Sequence, residues 1–171
     1  MEQGTRLNDT YVVMEQLGRG GGGVVYKAYH ERLQTYVVVK QVREKVKGIL
    51  EGRGEADILK KLRHTCLPQV YDFIQEGSQV FTVMDYIDGY DLEYYLERGI
   101  YFQPQQLLVW LRELCGVLVY LHSQHPPILH SDIKPANLML TSEGNICLID
   151  FNISFGLEEK KDILGISPYY A

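Results

Sequence analysis

The stretch LGRGGGGVVYK, Leu17 to Lys27, places four consecutive glycines, 20–23, just after a fifth, Gly18. Glycine loses more conformational freedom on ordering than any other residue. A folded chain therefore keeps a run of it where a loop is left loose or where bare backbone is required. Gly18, Gly20 and Gly23 satisfy G-x-G-x-x-G, a pattern too weak to decide anything alone, and a loose turn is its default meaning. The residues that follow narrow the choice. A dinucleotide-binding turn runs straight into a helix, whereas Val24-Val25-Tyr26 favours a strand. A Walker loop continues with Lys and then Ser or Thr, and here Val24 and Val25 occupy those places. What remains is a β-hairpin whose glycine tip lies over nucleotide phosphates, where side chains would hold the backbone N–H groups away from the anion.

Outward from this hairpin, segments 11–17, 24–30 and 35–42 are rich in Val and Tyr with short polar or glycine breaks, which predicts an antiparallel meander. A helix is expected over about 47–62, weakened by Gly48, Gly52 and Gly54, with Ile58, Leu59 and Leu62 on one face. Strands 70–75 and 79–86 follow. The pattern then turns helical: a short helix at 91–98, a long one from Pro104 to about His125, and a small hairpin of strands 138–141 and 146–149. Leu107, Leu111, Leu114, Leu118 and Leu121 form the expected main stripe of the long helix. The fold class is α+β: a five-stranded antiparallel sheet with one helix, then a helix-rich part. The expected domains are 1–87 and 88–171, with a cleft between them as the ligand site.

Composition sets limits on function. With 46% hydrophobic residues the 171-residue chain is able to build a packed core. Acidic residues outnumber basic ones, 22 to 17, which argues against a dedicated nucleic-acid binder. Cys66, Cys115 and Cys147 have no metal-ligand spacing and read as buried, reduced thiols in a cytoplasmic setting. No signal peptide and no membrane-spanning run is visible.

Two further groups of residues carry chemistry. Lys40, in YVVVKQV, sits in a strand that is apolar on both faces; it either reaches solvent along an edge strand or points inward, where an ammonium requires a partner. Glu55 lies on the apolar stripe of the following helix, the wrong side for a surface glutamate, so an inward lysine and an inward glutamate are expected to pair, an arrangement also able to hold a phosphate between strand and helix. Further on, HSDIKPANLML contributes Asp132, Lys134 and Asn137, and LIDFN contributes Asp150. If 138–149 is a hairpin, Asn137 and Asp150 flank its open end, roughly 5 Å apart. Two oxygen donors so placed suit Mg²⁺ shared with phosphates. Any one of these residues alone reads as part of a polar loop with Asn and Asp at turn positions; all four in order place Asp132 to orient and deprotonate a hydroxyl, and Lys134 to offset charge on a transferring phosphoryl group.

With these motifs in order, the chain resembles the protein kinase superfamily, in its bacterial, eukaryotic-like Ser/Thr branch. GRGGGGVV matches the glycine loop, VVVK the phosphate-binding lysine, EADILKKLRH the helix glutamate, VMDYIDGYDL the hinge, HSDIKPAN the catalytic loop and DFN the metal motif. The resemblance implies a two-lobe kinase-like fold that binds ATP and Mg²⁺ and phosphorylates Ser or Thr of a protein substrate. It implies that Gly18, Gly20, Gly23 and Val25 cover the nucleotide, and that Lys40, braced by Glu55, holds the α- and β-phosphates. Met84 would be the gatekeeper, the backbone of Asp85 to Ile87 would pair with adenine, and Asp91 would reach the ribose. Asp132 would be the catalytic base, Lys134 would contact the γ-phosphate, and Asn137 and Asp150 would bind the metal.

Some residues depart from the family pattern. Ser131 stands where an arginine usually precedes the catalytic Asp, which implies activation without phosphorylation of the activation loop. Asn152 replaces the glycine of the metal motif, and Ile166, followed by Ser167, replaces a threonine. The family pattern extends past Ala171, since a whole kinase domain runs to about 250 residues. The chain therefore reads as a kinase fragment with an incomplete second lobe, weakly active or inactive by itself and prone to self-association through that lobe. The alternatives are a nucleotide-binding pseudokinase and a non-catalytic interaction piece.

Overall fold

The computed structural model describes residues 1–20, 23–42, 53–150 and 154–155. They fall into two compact units, Met1–Arg63 with Gln69–Tyr86, and His64–Pro68 with Ile87–Ala171.

The first unit is a six-stranded antiparallel sheet. Its strands are β1 (Arg6–Leu7), β2 (Tyr11–Gly20), β3 (Gly23–His30), β4 (Thr35–Val42), β5 (Val70–Glu76) and β6 (Gln79–Asp85), in the order β1-β2-β3-β4-β6-β5. Strand alternation makes the core: Val24, Tyr26 and Ala28 of β3, Val37 and Val39 of β4, and Phe81 and Val83 of β6 share one buried face with Leu7, Tyr11, Val13 and Ile74. The sequence reading stopped the second strand at residue 17 because glycines disfavour strands. Pairing overrides that preference here, and the ladder runs out to Gly20 opposite Gly23. The sixth strand, β1, is only two residues long and pairs with the start of β2. Helix α1 (Arg53–Lys61) precedes β5, with Leu59 and the following Leu62 buried. Gly48 and Gly52, expected in its first turns, lie outside the described residues.

In the second unit, strand β7 (Gly89–Asp91) leads into helix α2 (Leu92–Glu97), and the long helix α3 (Pro104–His122) follows. Pro104 opens α3 because a first-turn residue needs no N–H partner. Strand β8 (Ile128–Leu129), a 3-10 turn (Pro135–Asn137), β9 (Leu138–Thr141), β10 (Ile146–Leu148) and β11 (Ser154–Phe155) complete the unit. They form a three-stranded sheet, β10-β9-β7, and a two-stranded one, β11-β8.

The buried face of α3 follows the expected leucine stripe only in part. Leu121 is buried and Leu114 and Leu118 are half-buried, but Leu107 and Leu111 are 47% and 56% exposed while Trp110 and Val117 are buried. Trp110 sets this rotation: its indole N–H donates to Gly144 O (2.9 Å) and its ring meets Phe102 edge-on at 4.7 Å. A buried tryptophan contributes more area than any leucine and also needs a partner for its N–H. Cys115, on the opposite side, is exposed, against the expectation of three buried thiols. Cys66 and Cys147 are buried, and burial pushes the Cys66 thiol up.

Candidate active site

The three motif glycines are not equivalent. Gly23 has φ +121°, and a Cβ there would sit 2.3 Å from the Gln41 carbonyl oxygen of β4. It is therefore glycine for the sake of the sheet. Among the described residues Gly18 has no atom within 4 Å of where a Cβ would be, so none of them demands a glycine at that position. Gly20 closes the described part of the hairpin, opposite Gly23.

On the sheet face opposite the core, Lys40 lies in register between Val25 of β3 and Thr82 of β6, and Val38 lies between Lys27 and Met84. Val25, Val38, Lys40 and Met84 are all half-buried. Lys27 is held on this face by two rings: its Nζ lies 4.5 Å from the Tyr36 centroid and 4.3 Å from that of Tyr86. Asp85 ends β6 opposite Val37. Glu55 belongs to α1, but its side chain lies outside the described residues, and with it the expected Lys40–Glu55 pair.

In the second unit, Ile87 is half-buried, and Asp91 caps α2 by accepting from the Tyr94 N–H at 2.7 Å. The loop after β8 gathers the catalytic candidates. Asp132 is buried, at 8% exposure. Its Oδ2 accepts from Lys134 Nζ at 2.9 Å and from Asn137 Nδ2 at 3.0 Å, and Asn137 Nδ2 also donates to Asp132 O at 2.7 Å. Two side chains, two and five positions further on, thus converge on one carboxylate, because the 3-10 turn folds Asn137 back over the loop. The β9-β10 ladder then continues past its strands: Ile149 N–H donates to Asn137 O at 2.9 Å, so Asn137 faces the residue just before Asp150. Ser131 and Asp150 both have left-handed backbone, φ 64° and 61°. Asn152, Ile166 and Ser167 lie outside the described residues.

The model of the protein kinase domain family matches residues 11–171. The chain belongs to that family. It is similar to mouse serine/threonine-protein kinase tousled-like 2, at 34% identity over 160 residues, covering 86% of this chain and 22% of that protein. A probable serine/threonine-protein kinase of Dictyostelium discoideum is 29% identical over 148 residues, covering 84% of this chain and 32% of the relative. Among solved structures, the Mycobacterium tuberculosis PknI kinase domain aligns with a TM-score of 0.75 at 27% identity, covering 90% of this chain and 64% of that one. The chain thus spans a third or less of the length of these curated relatives.

The geometry of this kinase domain also brings in residues that sequence reasoning did not single out. His130 is 2% exposed, and its Nε2 lies 2.9 Å from Ile149 O, so it ties the catalytic loop to the residue before Asp150. A histidine two places ahead of the loop aspartate was the available signal. Lys27 carried none, because only the sheet brings Tyr36 and Tyr86 together around it. No helix among the described residues is long and apolar enough to cross a membrane.

Proposed function

We propose that this domain transfers the γ-phosphoryl group of ATP, with Mg²⁺, to a serine or threonine hydroxyl of a protein. The observation that carries the reading is the buried Asp132 carboxylate shared by Lys134 and Asn137. In this reading Asp132 orients the incoming hydroxyl and takes its proton. Lys134, 2.9 Å from Asp132 Oδ2, holds the carboxylate in place and offsets charge on the transferring group. The printed names of the relatives, serine/threonine-protein kinases, support the choice of acceptor.

The donor set fits a hard cation. Both groups facing Asn137 Nδ2, a carbonyl and a carboxylate, are acceptors, so the amide nitrogen is the atom turned to them. The amide oxygen is then directed elsewhere, and with the Asp150 carboxylate it supplies the oxygen ligands Mg²⁺ prefers. When bound, the ion supplies charge neutralisation for the phosphates. Val25, Val38 and Met84 offer apolar surface to adenine, the backbone of Asp85 to Ile87 its hydrogen bonds, and Asp91 a carboxylate for the ribose. Gly18, Gly20 and Gly23 cover the phosphates that Lys40, braced by Glu55, holds. A cytoplasmic setting, where ATP is supplied, suits the reaction.

The test is thermal unfolding with Mg-ATP, together with transfer of labelled phosphate to a Ser/Thr peptide. We expect the ATP-induced rise to vanish in Lys40→Ala and Asp150→Ala. It should persist in Asp132→Asn, while transfer is lost. A chain whose melting ignores Mg-ATP would overturn the proposal.

A further inference from the structure

Tyr71 breaks the regular pairing of β5 with β6. Val70 pairs with Met84 and Asp72 with Val83, leaving Tyr71 as an extra, bulged residue. A bulge re-aims its side chain, and here the Tyr71 hydroxyl donates to Asp85 Oδ1. The other carboxylate oxygen, Oδ2, accepts the Gln69 backbone N–H at 2.7 Å, while Asp85 N–H donates to Gln69 O at 3.0 Å. In an antiparallel ladder, two residues that pair in this way exchange both N–H···O bonds. The Gln69 N–H would then belong to the Asp85 carbonyl, but the Asp85 side chain takes it. Gln69 is itself anchored, with Nε2 donating to Lys60 O at 3.1 Å in the last turn of α1 and to Val70 O at 2.7 Å.

We infer that Tyr71 and Gln69 are positioning residues for the base: by holding the Asp85 carboxylate they divert the Gln69 N–H and reserve the Asp85 carbonyl for the exocyclic amino group of adenine. The inference rests on the nucleotide reading above and adds a source of base preference to it. Guanine presents an oxygen acceptor where adenine presents an amino donor, so a carbonyl fixed in place favours ATP over GTP. Burial and the Asp85 carboxylate push the Tyr71 phenol up to about 12, so it remains a proton donor throughout the neutral range.

The experiment measures Mg-ATP and Mg-GTP affinity of the chain by competition with a fluorescent nucleotide. Asp85→Ala frees the Gln69 N–H to claim the carbonyl, and ATP affinity should fall about tenfold, the worth of one good hydrogen bond, with GTP changed less than about twofold. Tyr71→Phe, a half-exposed and conservative change, should narrow the ATP-to-GTP ratio by about fivefold. Asp85→Asn retains an oxygen for the Gln69 N–H and should restore most of the preference. Equal losses for both nucleotides, or an unchanged ratio in Asp85→Ala, would overturn the inference while leaving nucleotide binding intact. A wild-type chain that binds neither nucleotide refutes the functional reading, and this inference with it.

Discussion

Alanine at Gly23 and at Gly18 separates a glycine that the fold demands from one that it does not. At Gly23, φ is +121° and a Cβ would lie 2.3 Å from Gln41 O. Holding an alanine in that backbone region costs about 1–3 kcal/mol. Gln41 O is backbone of β4, so relief requires β3 to move away from β4 beside the Val25–Lys40 pair, a further cost of about 1–3 kcal/mol. Together these predict a loss of about 3 kcal/mol for Gly23→Ala, which at a urea dependence of about 2 kcal/mol per molar lowers the midpoint by about 1.5 M. Gly18 has no left-handed φ, and no atom of the described residues lies within 4 Å of where its Cβ would be. Gly18→Ala should therefore gain about 0.5 kcal/mol through a less flexible unfolded chain. If the tip approaches phosphates, Gly18→Ala should also weaken Mg-ATP while the fold is strengthened. Urea unfolding by far-ultraviolet circular dichroism reads the first effect and nucleotide titration the second. Unfolding of Gly23→Ala at the wild-type midpoint would refute the steric argument. A Gly18→Ala loss as large as that of Gly23→Ala would refute the contrast.

Asn137→Ala should destabilise the second unit by about 2 kcal/mol, since it leaves the buried Asp132 O and Oδ2 without their shared donor; an unchanged denaturation midpoint would show that the cluster adds nothing to the fold. Tyr71 gives a pH test. Its folded ionisation near 12 lies above the ordinary value of 10.0, so its contribution is complete below about pH 10 and is lost as pH rises through about 12. The full linkage would be about 2.7 kcal/mol; because Tyr71 is 39% exposed and solvent screens the pair, about 1 kcal/mol is expected. The stability gap between wild type and Tyr71→Phe should therefore close between about pH 10 and pH 12. A gap constant across that range would show that the hydroxyl contributes nothing through Asp85.

The order of elements, the glycine hairpin and the hairpin that follows the catalytic loop were legible from the chain alone. Strand alternation, turn residues and Pro104 act over a few neighbours, and local steric rules decide them. Lys40, Asp132, Lys134, Asn137 and Asp150 stood out in the chain as candidates, because charged and amide groups in apolar or turn contexts call for partners, and the structure brings Asp132, Lys134 and Asn137 together. Tertiary structure alone decided which side of α3 faces inward, since that depended on Trp110 finding Gly144 O, 34 residues away. It alone decided that Gly23 answers to Gln41 while Gly18 answers to nothing among the described residues, and that Tyr71 and Gln69 claim the Asp85 carboxylate. Each of these is a contact between segments distant in sequence. No local propensity encodes such a contact, because its energy exists only once the sheet and the bulge have brought the partners together.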